Sequence, residues 1–153
     1  MRVREDVWAN ASPDRCWELV ADPARHGLWN PRITRTVREG TGELRRGSRY
    51  RVRYDAGADA REFDAEVLVL EPGRRFVARL EEAVKSSPEA RERWCEERYE
   101  LTPRRGGTHV LHEVHVHHSG VPWPVRALVW LVMRFGRPAG ATYMQRFGEL
   151  AAR

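Results

Sequence analysis

Apolar and polar residues alternate with a period of two through most of this chain, and the rhythm breaks near its two ends. Residues Arg2 to Ala9 read as a strand, with Val3 and Val7 on one face and Trp8 near its end. Ser12-Pro13-Asp14-Arg15 then starts a helix. Ser12 is suited to cap free backbone N–H groups, and proline suits the first helical position. Cys16, Trp17, Leu19 and Val20 give this helix its apolar residues, Asp22-Pro23 ends it, and a second short helix is expected from Pro23 to about Leu28. Trp29-Asn30-Pro31 turns the backbone into extended chain, because the residue before a proline avoids the helical region.

From Ile33 onward the pattern predicts strands. Ile33 to Glu39 is one, followed by a turn at Gly40-Thr41-Gly42 and a loop from Leu44 to Gly47. Ser48 to Tyr54 alternates cleanly, with Tyr50, Val52 and Tyr54 on one face and Arg49, Arg51 and Arg53 on the other, so one face is solvated. Asp55 to Ala60 reads as a turn, Phe63 to Glu71 as a strand and Pro72-Gly73 as a hairpin turn. In Arg74 to Leu80, Phe76, Ala78 and Leu80 lie opposite Arg75, Val77 and Arg79. A polar loop from Glu81 to Ala90 leads to a long strand from Arg91 to Thr102, a turn from Pro103 to Gly107 and a last strand from Thr108 to Ser119. From Pro122 to Leu150 the period is helical. Pro138 removes a backbone bond to Arg134, which predicts a kink or break there.

This order predicts an α+β helix-grip fold: a curved antiparallel sheet of about seven strands around a long C-terminal α-helix, with two short helices after strand 1, as one domain over residues 1–153. One helix is too narrow for so wide an apolar sheet face, so a hollow is expected between them. From the strands its lining would be Tyr50, Val52, Tyr54, Phe63, Ala65 and Val67, then Phe76, Ala78, Leu80, Tyr99, Leu101 and Val114. From the helix it would be Leu128, Val132 and Phe135. An apolar hollow with a few phenols is the usual make-up of a small-molecule site.

Composition narrows the partners. The chain has 153 residues, of which 41% are hydrophobic and 32% charged, which suits a folded domain with a charged shell. The net charge is +5, but Lys85 is the only lysine and the arginines are interleaved with acids, as in Arg91-Glu92-Arg93 and Glu96-Glu97-Arg98. A nucleic-acid binder shows a one-signed stripe or a known motif, and neither is present, so no nucleic-acid partner is expected. Cys16 and Cys95 form no metal-type spacing and fit a reducing compartment. The first residues hold no apolar signal core, and the longest apolar run, Ala127 to Phe135, is far too short to span a bilayer. A cytoplasmic protein without integral membrane association is the expectation.

The segment Ala11-Ser12-Pro13-Asp14-Arg15-Cys16-Trp17-Glu18-Leu19-Val20-Ala21-Asp22-Pro23, then Trp29-Asn30-Pro31, carries a family resemblance. Leu44-Arg45-Arg46-Gly47-Ser48-Arg49-Tyr50, Tyr99-Glu100-Leu101-Thr102-Pro103 and Gly107-Thr108 extend it over nearly the whole chain. The chain resembles the START-like, Bet v 1-like superfamily (SRPBCC), which includes polyketide cyclases and lipid-transport proteins. The resemblance implies a shared cavity rather than a shared reaction. It implies a lipid, hormone or polyketide ligand and, in a minority of members, cyclisation and dehydration. Catalytic members are understood to use an arginine deep in the cavity with tyrosine or serine hydroxyls. Here every strand arginine that the alternation phases lies on the outer face, unless a bulge turns Arg93 or Arg98.

Histidines cluster at His109, His112, His115, His117 and His118. Alternation puts His112 on the face of Val110, Val114 and Val116, and His115 and His117 on the solvated face. His115 and His117 are neighbours, yet zinc wants three or four ligands and only Glu113 is at hand, so no metal site is assigned. A neutral His112 in an apolar pocket can serve as a general base, with Glu97 as its companion on the face of Cys95, Tyr99 and Leu101. The same two residues can equally be a structural polar pair. Trp123 and Trp130 fall on a helical stripe apart from that of Leu128, Val132 and Phe135, so a homodimer contact or ligand mouth would explain them, as would burial by the N-terminal helices.

The leading reading is a cofactor-free binding module for a hydrophobic small molecule. The alternatives are a polyketide aromatase/cyclase or dehydratase acting through His112 and Glu97, and a scaffold or regulator acting through the Trp123/Trp130 surface.

Overall fold

Period-two patterning becomes a single run of antiparallel strands. The computed structural model describes residues 2–55, 60–83, 94–117, 124 and 142–153. β1 (Arg2–Ala9) leads into α1 (Pro13–Ala21) and a 3₁₀ helix (Pro23–Leu28). Then come β2 (Ile33–Arg38), β3 (Arg49–Asp55), β4 (Ala60–Glu71), β5 (Arg75–Glu82), β6 (Trp94–Arg104) and β7 (Gly107–His117), followed by α2 (Tyr143–Ala151). The sheet order is β1-β7-β6-β5-β4-β3-β2, so β2 to β7 form a meander and β1 folds back to pair with β7. This is the helix-grip α+β fold that the alternation predicts.

Local chemistry sets the helix starts. The Ser12 hydroxyl accepts the Arg15 N–H at 3.2 Å at the head of α1, and Pro13 sits at its first position. Asp22 ends α1 and caps the next helix by accepting the Ala24 N–H at 3.1 Å. That second helix is a 3₁₀ helix, and it terminates where the His26 carbonyl accepts both the Trp29 and Asn30 N–H groups.

The C-terminal helix departs from expectation. The helical period read from Pro122 to Leu150 is interrupted at Thr142, which is extended, with φ −70° and ψ 160°. Thr142 and Gln145 make a reciprocal capping box, so α2 starts afresh at Tyr143. Leu128, Val132 and Phe135, together with Trp123, Trp130 and Met133, lie outside the described residues, as do His118, Arg93 and Lys85.

The inner sheet face, α1, the 3₁₀ helix and α2 enclose the core. Trp29, Tyr99, Phe76, Phe147, Leu19 and Met144 are its largest fully buried side chains. Trp29 is the hub: its ring contacts those of His26, Tyr99, Tyr143 and Phe147, the last edge-on at 5.4 Å. A register shift between Val67 and Val69 places Val69 opposite Val77 and Leu70 opposite Phe76. Leu70 thereby packs against the core, although alternation from Phe63 would turn it outward.

The outer face is a lattice of opposite charges. One register row crosses six strands as Arg49, Glu66, Arg79, Glu96, His115 and Arg2. Two residues on this face are buried, against the expectation of a solvated side. Val77 lies between Val69 and Arg98 in the register, where an apolar neighbour and a long aliphatic stem flank it. Glu113 lies between Arg98 and Arg4.

Candidate functional site

The filled core does not extend over the whole inner face. A hollow of about 420 Å³ lies at the end of the sheet where β3 meets β4, within the usual size range for small-molecule sites. Tyr54, Phe63, Leu80 and Val114 form its apolar wall, with Tyr54 and Phe63 packed edge-on at 5.6 Å. Glu97, His112, Cys95 and Tyr143 line the same hollow, as do Asn30, Arg32, Asp55 and Arg61.

The expected lining therefore divides. Tyr54, Phe63, Leu80 and Val114 face the hollow. Tyr50, Val52, Ala65, Val67, Phe76, Ala78, Tyr99 and Leu101 are instead part of the packed core. Trp29 is part of that filling: its ring meets Tyr99 of the sheet edge-on at 5.9 Å and Phe147 of α2 edge-on at 5.4 Å.

His112 and Glu97 are brought together as the alternation implied. His112 Nε2 lies 2.9 Å from Glu97 Oε1, and both side chains are almost fully buried. The Tyr99 hydroxyl donates to the same carboxylate oxygen at 2.7 Å, and its ring stacks on the imidazole at 4.5 Å. On the other side, His112 Nδ1 lies 3.2 Å from the Tyr143 hydroxyl. The Glu5 carboxylate, opposite His112 on β1, is near enough to Tyr143 for its charge to act on the phenol. The result is a hydrogen-bonded chain from Tyr143 through His112 and Glu97 to Tyr99, with the Glu5 charge beside its first member.

The chain fixes what each group can do. Glu97 accepts from Nε2–H, so in neutral His112 the lone pair lies on Nδ1, facing Tyr143. Both ring nitrogens are then committed to protein partners. Tyr143, whose hydroxyl lies 3.2 Å from Nδ1, lines the hollow beside His112.

Glu97 dominates the electrostatics. Burial pushes its carboxyl up, but the His112 and Tyr99 hydrogen bonds and the nearby His112 and His26 rings outweigh this and leave it below the usual range. Its charge is felt by the surrounding groups. Burial and then the Glu97 carboxylate push the Cys95 thiol up to about 12, so this cysteine is no nucleophile. Burial raises Tyr54 and Tyr99 well above the ordinary phenol value, with Glu97 adding to both. Burial also raises Tyr143, with Glu5 as the next cause.

Several residues of this region are not singled out by the alternation. Arg61 falls inside β4, which starts at Ala60 rather than Phe63, and shares the parity of Phe63, so one strand arginine does line the hollow. Arg98 stays outside, paired with Glu96 and Glu100. Glu5 shares the parity of Val3 and Val7, a signal legible in the sequence. Tyr143, Arg32 and Asp55 lie at element ends, where periodicity carries no facing information. Among the described residues no three His, Cys, Asp or Glu side chains are grouped to hold a metal ion, and His117 stacks flat on Trp94 at 3.8 Å. Among them, too, no helix is long and apolar enough to cross a membrane.

Solved structures share this architecture. TTHA0849 from Thermus thermophilus is 16% identical, with a TM-score of 0.70 over 99% of this chain and 97% of its own. Protein MLL2253 from Mesorhizobium loti is 19% identical, with a TM-score of 0.66 over 98% of this chain and 96% of its own. DynU16, from the dynemicin biosynthetic locus, is 24% identical, with a TM-score of 0.59 over 97% of this chain and 47% of its own. At such identities these likenesses show the fold alone. No curated protein matches the sequence. The family model described as polyketide cyclase/dehydrase and lipid transport matches residues 1–150, and the chain belongs to that family.

Proposed function

We propose that this protein binds a hydrophobic small molecule, lipid-like or polyketide-like, in the hollow at the β3–β4 end of the sheet. The observation that carries the reading is a cavity of about 420 Å³ with an apolar wall of Tyr54, Phe63, Leu80 and Val114 and polar groups from Glu97, His112 and Tyr143 as well as Asn30, Arg32, Asp55 and Arg61. Apolar walls supply affinity, and a few placed polar groups orient the ligand. No cofactor is needed for this role. Native mass spectrometry of freshly purified protein tests it, by revealing a retained ligand that a cavity-filling Val114→Trp variant lacks. If each protein shows only its own ligand-free mass and neither takes up added lipid, the proposal is removed.

A second reading is supported by the Glu97–His112–Tyr143 chain. Such a relay can move a proton to or from a ligand oxygen or an activated carbon beside a carbonyl, the step that cyclisation and dehydration require. In this reading Tyr143 touches the substrate and His112 with Glu97 sets its proton. Tyr143→Phe and His112→Gln should then abolish turnover of a poly-β-ketone while sparing its affinity. Unchanged turnover in both variants rejects catalysis by this relay.

A further inference from the structure

The hollow is electrostatically polarised. At its inner end the ionised Glu97 is buried, Glu5 stands behind Tyr143, and the Glu97 charge is felt by Tyr54, Cys95, Tyr99 and Tyr143. A second anion placed there would meet buried like charge with little solvent screening. The exposed part of the lining carries the opposite charge, and the Arg32 charge reaches Tyr143 as well. Arg32 and Arg61 are both exposed, both line the hollow, and neither guanidinium has an ion-pair partner among the described residues. One acid, Asp55, lines the same region and offsets part of that charge.

We infer that the ligand is an amphiphile with an anionic end, such as a carboxylate. Its acid group is held at the mouth by Arg32 and Arg61, its apolar body lies against Tyr54, Phe63, Leu80 and Val114, and an uncharged oxygen meets Tyr143. This deepens the binding reading above and rests on it. Two guanidiniums suit a carboxylate because each presents a planar fork of donors, and exposure lets them approach the ligand without first losing a protein partner. The opposite orientation would set the ligand's anion against Glu97 and leave both arginines unpaired.

The test displaces a neutral fluorescent probe, N-phenyl-1-naphthylamine, with decanoate or with 1-decanol at pH 8. The two competitors share a ten-carbon chain and differ in head-group charge. Decanoate should compete about tenfold better than decanol against the wild-type protein. The double variant Arg32→Gln/Arg61→Gln should remove that preference, and Asp55→Asn should widen it. Arg32 and Arg61 are exposed and Asp55 is half-buried, so folding of the variants is checked apart from binding, by far-UV circular dichroism and thermal unfolding, which should match wild type. Equal competition by the two molecules, or a preference that survives in the double variant, overturns the anionic-end inference and leaves the hydrophobic cavity intact. Failure of the wild-type protein to bind the neutral probe or either competitor overturns the cavity reading and this one with it.

Discussion

His112 reaches Glu97 diagonally across two strands. In the β6–β7 register His112 stands opposite Tyr99, and Glu97 opposite Val114, yet Nε2 and Oε1 are 2.9 Å apart. The direct neighbour, Tyr99, stacks on the imidazole and points its hydroxyl at the same carboxylate oxygen. A buried carboxylate is thereby given two donors, both from side chains on the same sheet face.

Removing one partner of this pair should therefore cost more than removing both. Glu97→Ala or His112→Ala leaves a buried polar group without its mate, and either should destabilise the fold by about 3 kcal/mol or more. The double variant Glu97→Leu/His112→Phe replaces both with apolar volume and should recover much of that loss. Urea unfolding of wild type, the single variants Glu97→Leu and His112→Phe, and this double variant closes the cycle and gives the coupling directly. Simple additivity of the two losses would show that the pair does not act as a unit.

Acid should destabilise the protein starting in the range where histidine titrates, through His26. Burial holds the His26 imidazole below its usual value, with Glu97 and the Val20 carbonyl only partly countering it. In the unfolded chain His26 takes up a proton near pH 6.5, whereas in the folded state it does so only at lower pH. Between those values the unfolded state binds more protons, so stability falls as pH falls, by at most about 1.4 kcal/mol per pH unit. Glu97, also depressed, has the same sign at lower pH: its contribution is present above the unfolded carboxylate value and is lost as pH drops through the folded one. Comparing urea midpoints at pH 7 and pH 5.5, wild type should lose more stability than His26→Gln. Parallel losses would assign the acid response to other groups.

Alternation alone placed the sheet, its inner face and the His112/Glu97 pair, because each depends on which side of a strand a residue faces. It could not show that Trp29 fills the middle. Trp29 follows the 3₁₀ helix in a turn, and its burial depends on how that turn docks against Tyr99 and Phe147. Leu70 shows the complementary limit: the register shift after Val67 changes the inward parity within one strand. Tyr143 becomes a site residue only because the Thr142–Gln145 capping box restarts the helix there, aiming its first side chain at His112.

Two tyrosines should respond oppositely to loss of their hydroxyls. The Tyr50 hydroxyl is buried with no hydrogen-bond partner among the described residues, whereas that of Tyr99 donates to Glu97. Tyr50→Phe removes an unsatisfied group and should stabilise by about 1 kcal/mol. Tyr99→Phe removes a bond to a charged acceptor and should destabilise by about 2 kcal/mol. Thermal unfolding monitored by circular dichroism reads both. A Tyr50→Phe protein that melts earlier would show that its hydroxyl has a partner in solution.

Gly107 and Gly148 both sit where the chain passes close to β1, but they should not be equally sensitive to alanine. A Cβ on Gly107 would stand 2.3 Å from the Ala9 carbonyl oxygen and 2.8 Å from the Trp8 ring. The first of these is backbone held in the β1–β7 ladder, where Ala9 pairs with Thr108, so it cannot move without breaking the pairing that joins the first strand to the last. A Cβ on Gly148 would meet the Val7 methyl at 3.1 Å and the Trp8 carbonyl oxygen at 3.3 Å, contacts that yield after a shift of a few tenths of an ångström. Gly148 is also inside α2, where alanine gains about 1 kcal/mol of helix propensity over glycine. Overpacking against a rigid wall costs about 3 kcal/mol or more, so Gly107→Ala should lower the melting temperature sharply while Gly148→Ala stays within about 1 kcal/mol of wild type. Equal losses at the two positions would mean that α2 is pinned to β1 as rigidly as β7 is.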